Sequence, residues 1–521
     1  MNKLFFLPHY PSFCWPWIFG ILLDQAEVMA KNNDVRVTII HCDSCETIGK
    51  CFHLHLHPKR ICRLCNFHKQ YLLKKLSKNI QLISLSDLAK DMRKEDRPSF
   101  QYNTLEELKN LNYKNIDIGY ASFSTYLSFA VRNLNPLIDE PFKKFIDQYL
   151  DRCCGLADIF EYALEKYAPD HVCFFNARLI DSKPLLDICL HKKISFTSLE
   201  NRLVIGNQPR ITFFHNTTPF DIENYNCFVK KQWDSSSLSE EERIKTASVF
   251  YTNRRNSVAA GDKVYTKNQQ SGLLPDNLDT NKHNIVIFNS SEDEFASVGK
   301  AYGAKRLFPS QLDGLQTIFE LFKDNADIYF YLRIHPNLAN IHYLFHHILY
   351  DFDKRFPNVT VIPPDSLVST YSLIDAANKV IVFGSTTGAE AVFWGKPAIL
   401  LDNSAYQYLD ICYIPRNIDE IKELILNYNL PVKNKLGALQ FAYDLLNTES
   451  GEFEFFKTTK REYHFFKRPV RIQYFEIKGS KFAKYRTTIS QFFCKLIYEL
   501  TPKMEIPDKE DEKAYQKYRF I

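Results

Sequence analysis

Short apolar runs recur along the chain, each followed by a polar turn and then by a stretch with helical spacing. Val380-Ile-Val-Phe383 has the composition of a strand buried on both faces. Gly384-Ser-Thr-Thr-Gly388 follows, and Ala389-Glu-Ala-Val-Phe-Trp394 then supplies helix formers that Gly395-Lys-Pro397 stops. A strand, a tight turn and a helix start leave backbone N–H groups and the positive end of the helix dipole facing whatever lies above the turn. At the carboxyl end of a parallel strand, that is where α/β folds bind phosphorylated ligands. A capped helix after a core strand has the same pattern. The rest of the chain decides between them.

Residues 1–41 read strand, loop, helix, strand, with Leu4–Leu7 first, Trp17–Lys31 helical and Val35–Ile40 β-branched. This βαβ start predicts a parallel sheet. The N-terminus imitates a signal peptide, but Pro8, His9, Pro11 and Pro16 break its apolar run and no small-residue cleavage site follows. Asp24 and Glu27 end the run short of a membrane span, so a cytoplasmic protein is expected. Residues 72–169 read as mostly helical, interrupted by Asn115–Ala121. Asp170–Phe175 and Ser195–Leu199 are further strands, ending at Asn176-Ala-Arg178 and Glu200-Asn-Arg202.

Residues 263–284 lack periodicity and predict a linker between a first domain, 1–262, and a second, 283–440. The second alternates strands at Asn284–Phe288, Ile328–Ile334, Val359–Ile362, Val380–Phe383 and Ala398–Leu401 with helices near Gln311–Lys323, 338–355 and 366–377. Residues 441–521 lose this rhythm and are expected to be helical and aromatic. No repeat of solenoid period is visible. The fold class expected is α/β, with two Rossmann-like domains facing a cleft.

A length of 521 residues fits two or three domains. A net charge of +5 is small for that size and gives no reason to expect a nucleic-acid partner. Basic residues outnumber acidic ones between Lys457 and Lys495, with Phe and Tyr interleaved. That mixture suits either an anionic membrane surface or a basic helix packed on its own protein. Five of the thirteen cysteines lie between Cys42 and Cys65. The pairs Cys42-x2-Cys45 and Cys62-x2-Cys65 have zinc-ribbon spacing, with Cys51 competing for a place; reduced surface thiols are the alternative.

Three strand ends in the second half carry unusual polar residues: Ser290/Ser291 with Glu292, Arg333/His335, and Ser385/Thr386 beside Gly388. In a parallel sheet these turns emerge at one edge and can converge on one ligand. Arg333 and His335 bring positive charge or donors, the serines bring neutral donors, and Glu390 can accept from a ribose hydroxyl. Together they suit a nucleoside mono- or diphosphate.

Arg333-Ile-His-Pro-Asn337, Gly384-Ser-Thr-Thr-Gly-Ala-Glu390 and Gly395-Lys-Pro397 resemble the donor half of bacterial capsule polysaccharide biosynthesis proteins with a GT-B fold. Phe288–Phe295, Ile116–Gly119 and Phe175–Arg178 resemble the same group, as does the cysteine insert 42–68, best through Cys42, Cys51, Cys62 and Cys65. The likeness covers about residues 1–410. It implies a metal-independent glycosyltransferase with a nucleotide-sugar donor and a polysaccharide or lipid-linked glycan acceptor, peripheral on the inner membrane at most, with zinc only structural. Arg333, His335 and the Ser385/Thr386 turn would stabilise the leaving phosphate, and Asp117 or Glu200 would be the base. Polyol-phosphate transferases and UDP-sugar 2-epimerases share these motifs, and a non-catalytic envelope-assembly protein is the reading from another class.

Overall fold

The structure is a computed structural model that describes residues 1–7, 16–43, 58–74, 76–92, 96–129, 131–205, 208–258, 264–303, 306–446, 454–465, 468–477, 492–494, 496–497, 500 and 505–518. The chain divides into two compact units. One comprises Met1–Arg132, Pro136–Pro219 and Glu449–Lys509; the other comprises Asn133–Asn135, Phe220–Thr448 and Glu510–Ile521.

The first unit holds a sheet of β1 (Asn2–Leu7), β2 (Arg36–His41), β3 (Ile80–Ser84), β4 (His171–Phe175), β5 (Phe196–Ile205) and β6 (Gln208–His215) in the order β3-β2-β1-β4-β5-β6. All neighbours are parallel except β5 and β6. This is the Rossmann order, with the reversal between β1 and β4. Phe5 and Phe6 are fully buried, and Phe6 meets Phe160 of the helix Glu140–Tyr167 edge-on at 4.6 Å.

The second unit holds β7 (His283–Phe288), β8 (Ile328–Arg333), β9 (Val359–Ile362), β10 (Lys379–Val382) and β11 (Ala398–Leu400) in the wholly parallel order β11-β10-β7-β8-β9. Every residue of β7 and β10 is buried, with the apolar runs 285–288 and 380–382 in the core. Ile285, Ile287, Phe330 and Ile381 pack with Leu315, Ile318 and Phe319 of the helix Gln311–Phe322. Each such side chain contributes about 1.5–3 kcal/mol by leaving water. Two Rossmann-like α/β units in one chain are the composition of the GT-B class.

Several expectations need correction. β3 lies inside the segment read as helical, because Ile80-Gln-Leu-Ile83 is too short to show a period against its helical flanks. The division falls at Pro219/Phe220, not near 262. The helices Ile222–Asp234 and Glu240–Arg255 belong with the second sheet because Tyr225 donates to Asp444 and Tyr251 donates to the Ala438 carbonyl at 2.6 Å. The region after 441 is not simply helical. β12 (Phe456–Phe465) and β13 (Arg468–Ile477) form an antiparallel hairpin beside the helix Pro16–Ala30. Val470, Ile472 and Tyr474 alternate with Arg471 and Gln473, a strand period that the basic and aromatic composition hides. The Asp24 carboxylate anchors the hairpin's approach, accepting from the N–H groups of Glu454 and Phe455 at 3.1 and 2.8 Å.

Cys42 is buried just past β2, while Cys62 and Cys65 are half-buried on the helix Pro58–Leu73. Cys45 and Cys51 lie outside the described residues. Among the described residues no three His, Cys, Asp or Glu side chains converge as a metal site, and no helix is long and apolar enough to cross a membrane.

Candidate functional site

The second sheet reverses between β7 and β10, which are neighbours although β8 and β9 intervene in sequence. A crevice is expected at their carboxyl ends, and a cavity of about 270 Å³ lies there. It is small for a ligand site, where about 300–1,000 Å³ is usual. Ser290, Ser291, Arg333, His335, Ser385, Thr386 and Glu390 all line it. The sequence placed six of these residues at three separate strand ends and Glu390 one turn into the helix after the last, and the fold brings all seven together.

The turn after β10 needs its first glycine. Gly384 has φ +79°, and a Cβ there would stand 2.6 Å from the Asn403 carbonyl oxygen. Gly388 serves packing and does not line the cavity. A Cβ on it would lie 2.5 Å from the Tyr406 hydroxyl and 2.9 Å from the Val382 side chain, so glycine lets the helix Thr387–Phe393 settle onto β10. Tyr406 in turn donates to the Ser385 carbonyl at 2.5 Å, and the Ser385 and Thr387 hydroxyls bond to each other.

The serines after β7 divide the work. The Ser290 hydroxyl donates to the Phe383 carbonyl and accepts from Gln311 Nε2 at 2.9 Å, so it ties the ends of β7 and β10 together. The Ser291 hydroxyl accepts from Asn337 Nδ2 at 3.1 Å, which leaves its own proton to offer.

His335 follows β8. Its N–H donates to Asn289 Oδ1 at 2.8 Å, and its Nδ1 accepts from the Asn337 N–H at 3.1 Å. With Nδ1 accepting, the neutral ring carries its proton on Nε2 and presents a donor. Tyr265 packs edge-on against the ring at 4.9 Å between centroids. Arg333 is buried, and its Nη1 and Nη2 donate to the carbonyls of Pro363 and Ser366 at 2.9 and 3.2 Å. Burial lowers its pKa to about 10, which still leaves it charged at neutral pH.

Arg254, which sequence reasoning missed, also reaches the cavity. Its Nε donates to Glu390 Oε1 at 3.1 Å and its Nη2 to the Thr386 hydroxyl at 3.3 Å. Tyr371 donates to the other Glu390 oxygen. The contact follows from helical spacing. Tyr251 stacks on Phe393 at 4.2 Å, and one turn along each helix Arg254 meets Glu390.

The two carboxylates proposed as base lie in the first unit. Glu200 is on β5 next to the carboxyl end of β4, where Asn176 Nδ2 donates to its Oε2 at 2.5 Å. Asn176 and Ala177 both have positive φ, 65° and 74°, a strained turn of the kind found where function fixes the backbone. Asp117 instead opens the helix Ile118–Phe129, and its Oδ1 accepts from the Tyr120 N–H at 3.4 Å. The opposite end of that helix reaches the strand ends, where Arg178 donates to Ser124 and Ser128. Asp117 therefore lies about two turns of helix from the edge that Glu200 occupies.

No family model and no curated protein matches the sequence. Among solved structures, the chain is similar to KpsC from Thermosulfurimonas dismutans, a beta Kdo 2,4 transferase. The TM-score is 0.32 at 11% identity, over 53% of this chain and 79% of that one. The KpsC beta Kdo 2,7 transferase of the same organism gives 0.32 at 14%, over 55% and 78%. The UDP-GlcNAc 2-epimerase of Neisseria meningitidis, bound to UDP-GlcNAc, gives 0.28 at 13%, over 86% and 98%. Likeness of this degree carries no argument, so the chemistry rests on the residues above.

Proposed function

We propose that the protein is a glycosyltransferase that moves a sugar from a nucleotide-activated donor onto a growing cell-surface polysaccharide. The observation that carries this reading is the cavity at the β7/β10 reversal, where donors from three strand ends face one space. Displacement at the anomeric carbon expels a nucleotide phosphate, and the charge that develops on it is what fixed N–H and O–H donors stabilise. His335 through Nε2–H, Ser291 and the turn after β10 supply those donors. Glu200, which Asn176 Nδ2 holds, is proposed as the base for the acceptor hydroxyl, with Asp117 the other candidate. No catalytic divalent ion is required for this chemistry.

A thermal-shift screen of the full chain against CMP, UDP, GDP and CDP tests the reading. One nucleotide is expected to raise the melting temperature selectively, by mass action on the folded state. No shift with any of them would overturn it. A product assay with the matching nucleotide-sugar then separates transfer, which requires an acceptor, from epimerisation, which does not.

The cysteine insert is proposed to hold structural zinc through Cys42, Cys51, Cys62 and Cys65. About one equivalent is expected by metal analysis of freshly purified, reduced protein. Metal-free protein of full stability would remove the proposal.

A further inference from the structure

The sequence offers Glu390 as an acceptor for a ribose hydroxyl, but its surroundings assign it another task. Its side chain is 2% exposed, and its oxygens are taken by Arg254, Tyr371 and the Thr386 hydroxyl, the last at 3.3 Å. A carboxylate held this way has little left to offer a sugar hydroxyl, and it is well placed to orient a guanidinium. Arg254 needs such orientation. It ends the helix Glu240–Arg255, reaches the cavity with its side chain 17% exposed, and carries a fork that Glu390 fixes at Nε. The Nη2 edge of that fork is turned to Thr386, the N-cap of the helix Thr387–Phe393 that follows the β10 turn.

Arg333 lines the same cavity, with its Nη1 and Nη2 on the carbonyls of Pro363 and Ser366. A planar fork recognises phosphate when two of its N–H groups can face the oxygens together.

We infer that Arg254 grips the nucleotide's phosphate alongside Arg333, and that Glu390 and Tyr371 are positioning residues for its guanidinium. This deepens the nucleotide-binding reading above and rests on it. It moves Glu390 from the sugar to the phosphate end of the ligand, and it adds Arg254 to Arg333 as a cation there.

The experiment compares binding by the unaltered full chain with Arg254→Gln, Arg254→Lys, Glu390→Gln and Tyr371→Phe. The probes are CMP, UDP, GDP and CDP, with the 2′-deoxy form of each. Arg254→Gln is expected to weaken the nucleotide tenfold or more, and Arg254→Lys several-fold, since lysine keeps the charge and loses the fork. Glu390→Gln is expected to weaken the ribo and 2′-deoxy forms by the same factor, because neither oxygen addresses the ribose. A Glu390→Gln protein that binds the 2′-deoxy form as before and loses only its preference for the ribo form would restore the ribose role and overturn the inference. Unchanged affinity in Arg254→Gln would overturn it as well. Should Glu390→Gln fail to fold, Tyr371→Phe releases one oxygen of the same carboxylate and the same ratio is read. Failure of the unaltered protein to bind any probe would sink the nucleotide reading itself, a result distinct from a variant that binds normally.

Discussion

Replacement of His335 by alanine is expected to lower sugar transfer roughly a hundredfold or more at saturating donor, while the nucleotide still binds. The effect lies on turnover because the Nε2–H donor matters most when charge gathers on the departing phosphate; one such donor is typically worth ~3 kcal/mol. The ring also has a structural duty, since Nδ1 accepts from the Asn337 N–H and caps the short helix Pro336–Leu338. The two duties can be separated. Asparagine can place an oxygen near Nδ1 but puts no donor at Nε2, so His335→Asn should keep the cap and still lose turnover. Turnover measured beside a melting curve for both variants checks this. Full activity in His335→Asn would reduce the histidine to a cap, and recovery of activity in His335→Asn relative to His335→Ala would assign the loss to folding.

The part of this site that was legible in the sequence is the part built from strand ends. β7, β8 and β10 each carry a short apolar run (285–288, 328–332 and 380–382), and a chain that leaves such a strand must turn at once, so the polar residues that follow are fixed at the sheet's edge. Legibility ended where a residue's role depends on which neighbour packs against it. Ser290 and Ser291 are adjacent and chemically alike. Only the placement of Gln311 and Phe383 makes one a tie between strands and leaves the other facing the cavity. Arg254 was invisible for a related reason. It precedes Glu390 by more than a hundred residues, on a helix that the composition assigns to the other domain, and only the stacking of Tyr251 on Phe393 brings the pair together. Glu390 carried a signal that could have been used, because a carboxylate one turn into a buried helix needs a cation from somewhere.

The same requirement governs the cluster beside the cavity. Removal of Arg306 is expected to destabilise the second unit by ~3–5 kcal/mol at neutral pH, the usual cost of stripping a partner from a buried charge. Arg306 Nη2 donates to Glu292 Oε1 at 2.9 Å, while its Nε and Nη2 grip both oxygens of Asp402 at 2.9 and 2.6 Å. Glu292 opens the short helix Glu292–Ala296 just after β7 and Asp402 follows β11, so this one cation joins two strand ends that flank the site. Burial already raises the pKa of both carboxyls, and Arg306 is what opposes it. A carboxyl whose folded-state pKa stands above its unfolded value contributes stability below the unfolded value, and that contribution is lost as pH rises through the folded one. Without Arg306 both folded values rise further. The deficit of Arg306→Met should therefore be largest near pH 7 and should narrow as pH falls toward ~4, where both groups take up protons. Urea unfolding at several pH values measures it. Neutralising all three positions, as Arg306→Met with Glu292→Gln and Asp402→Asn, should recover most of the loss, since no charge then remains buried. A deficit that is flat with pH, or one that the triple variant keeps, would show that Arg306 acts through the volume it fills and not through its charge.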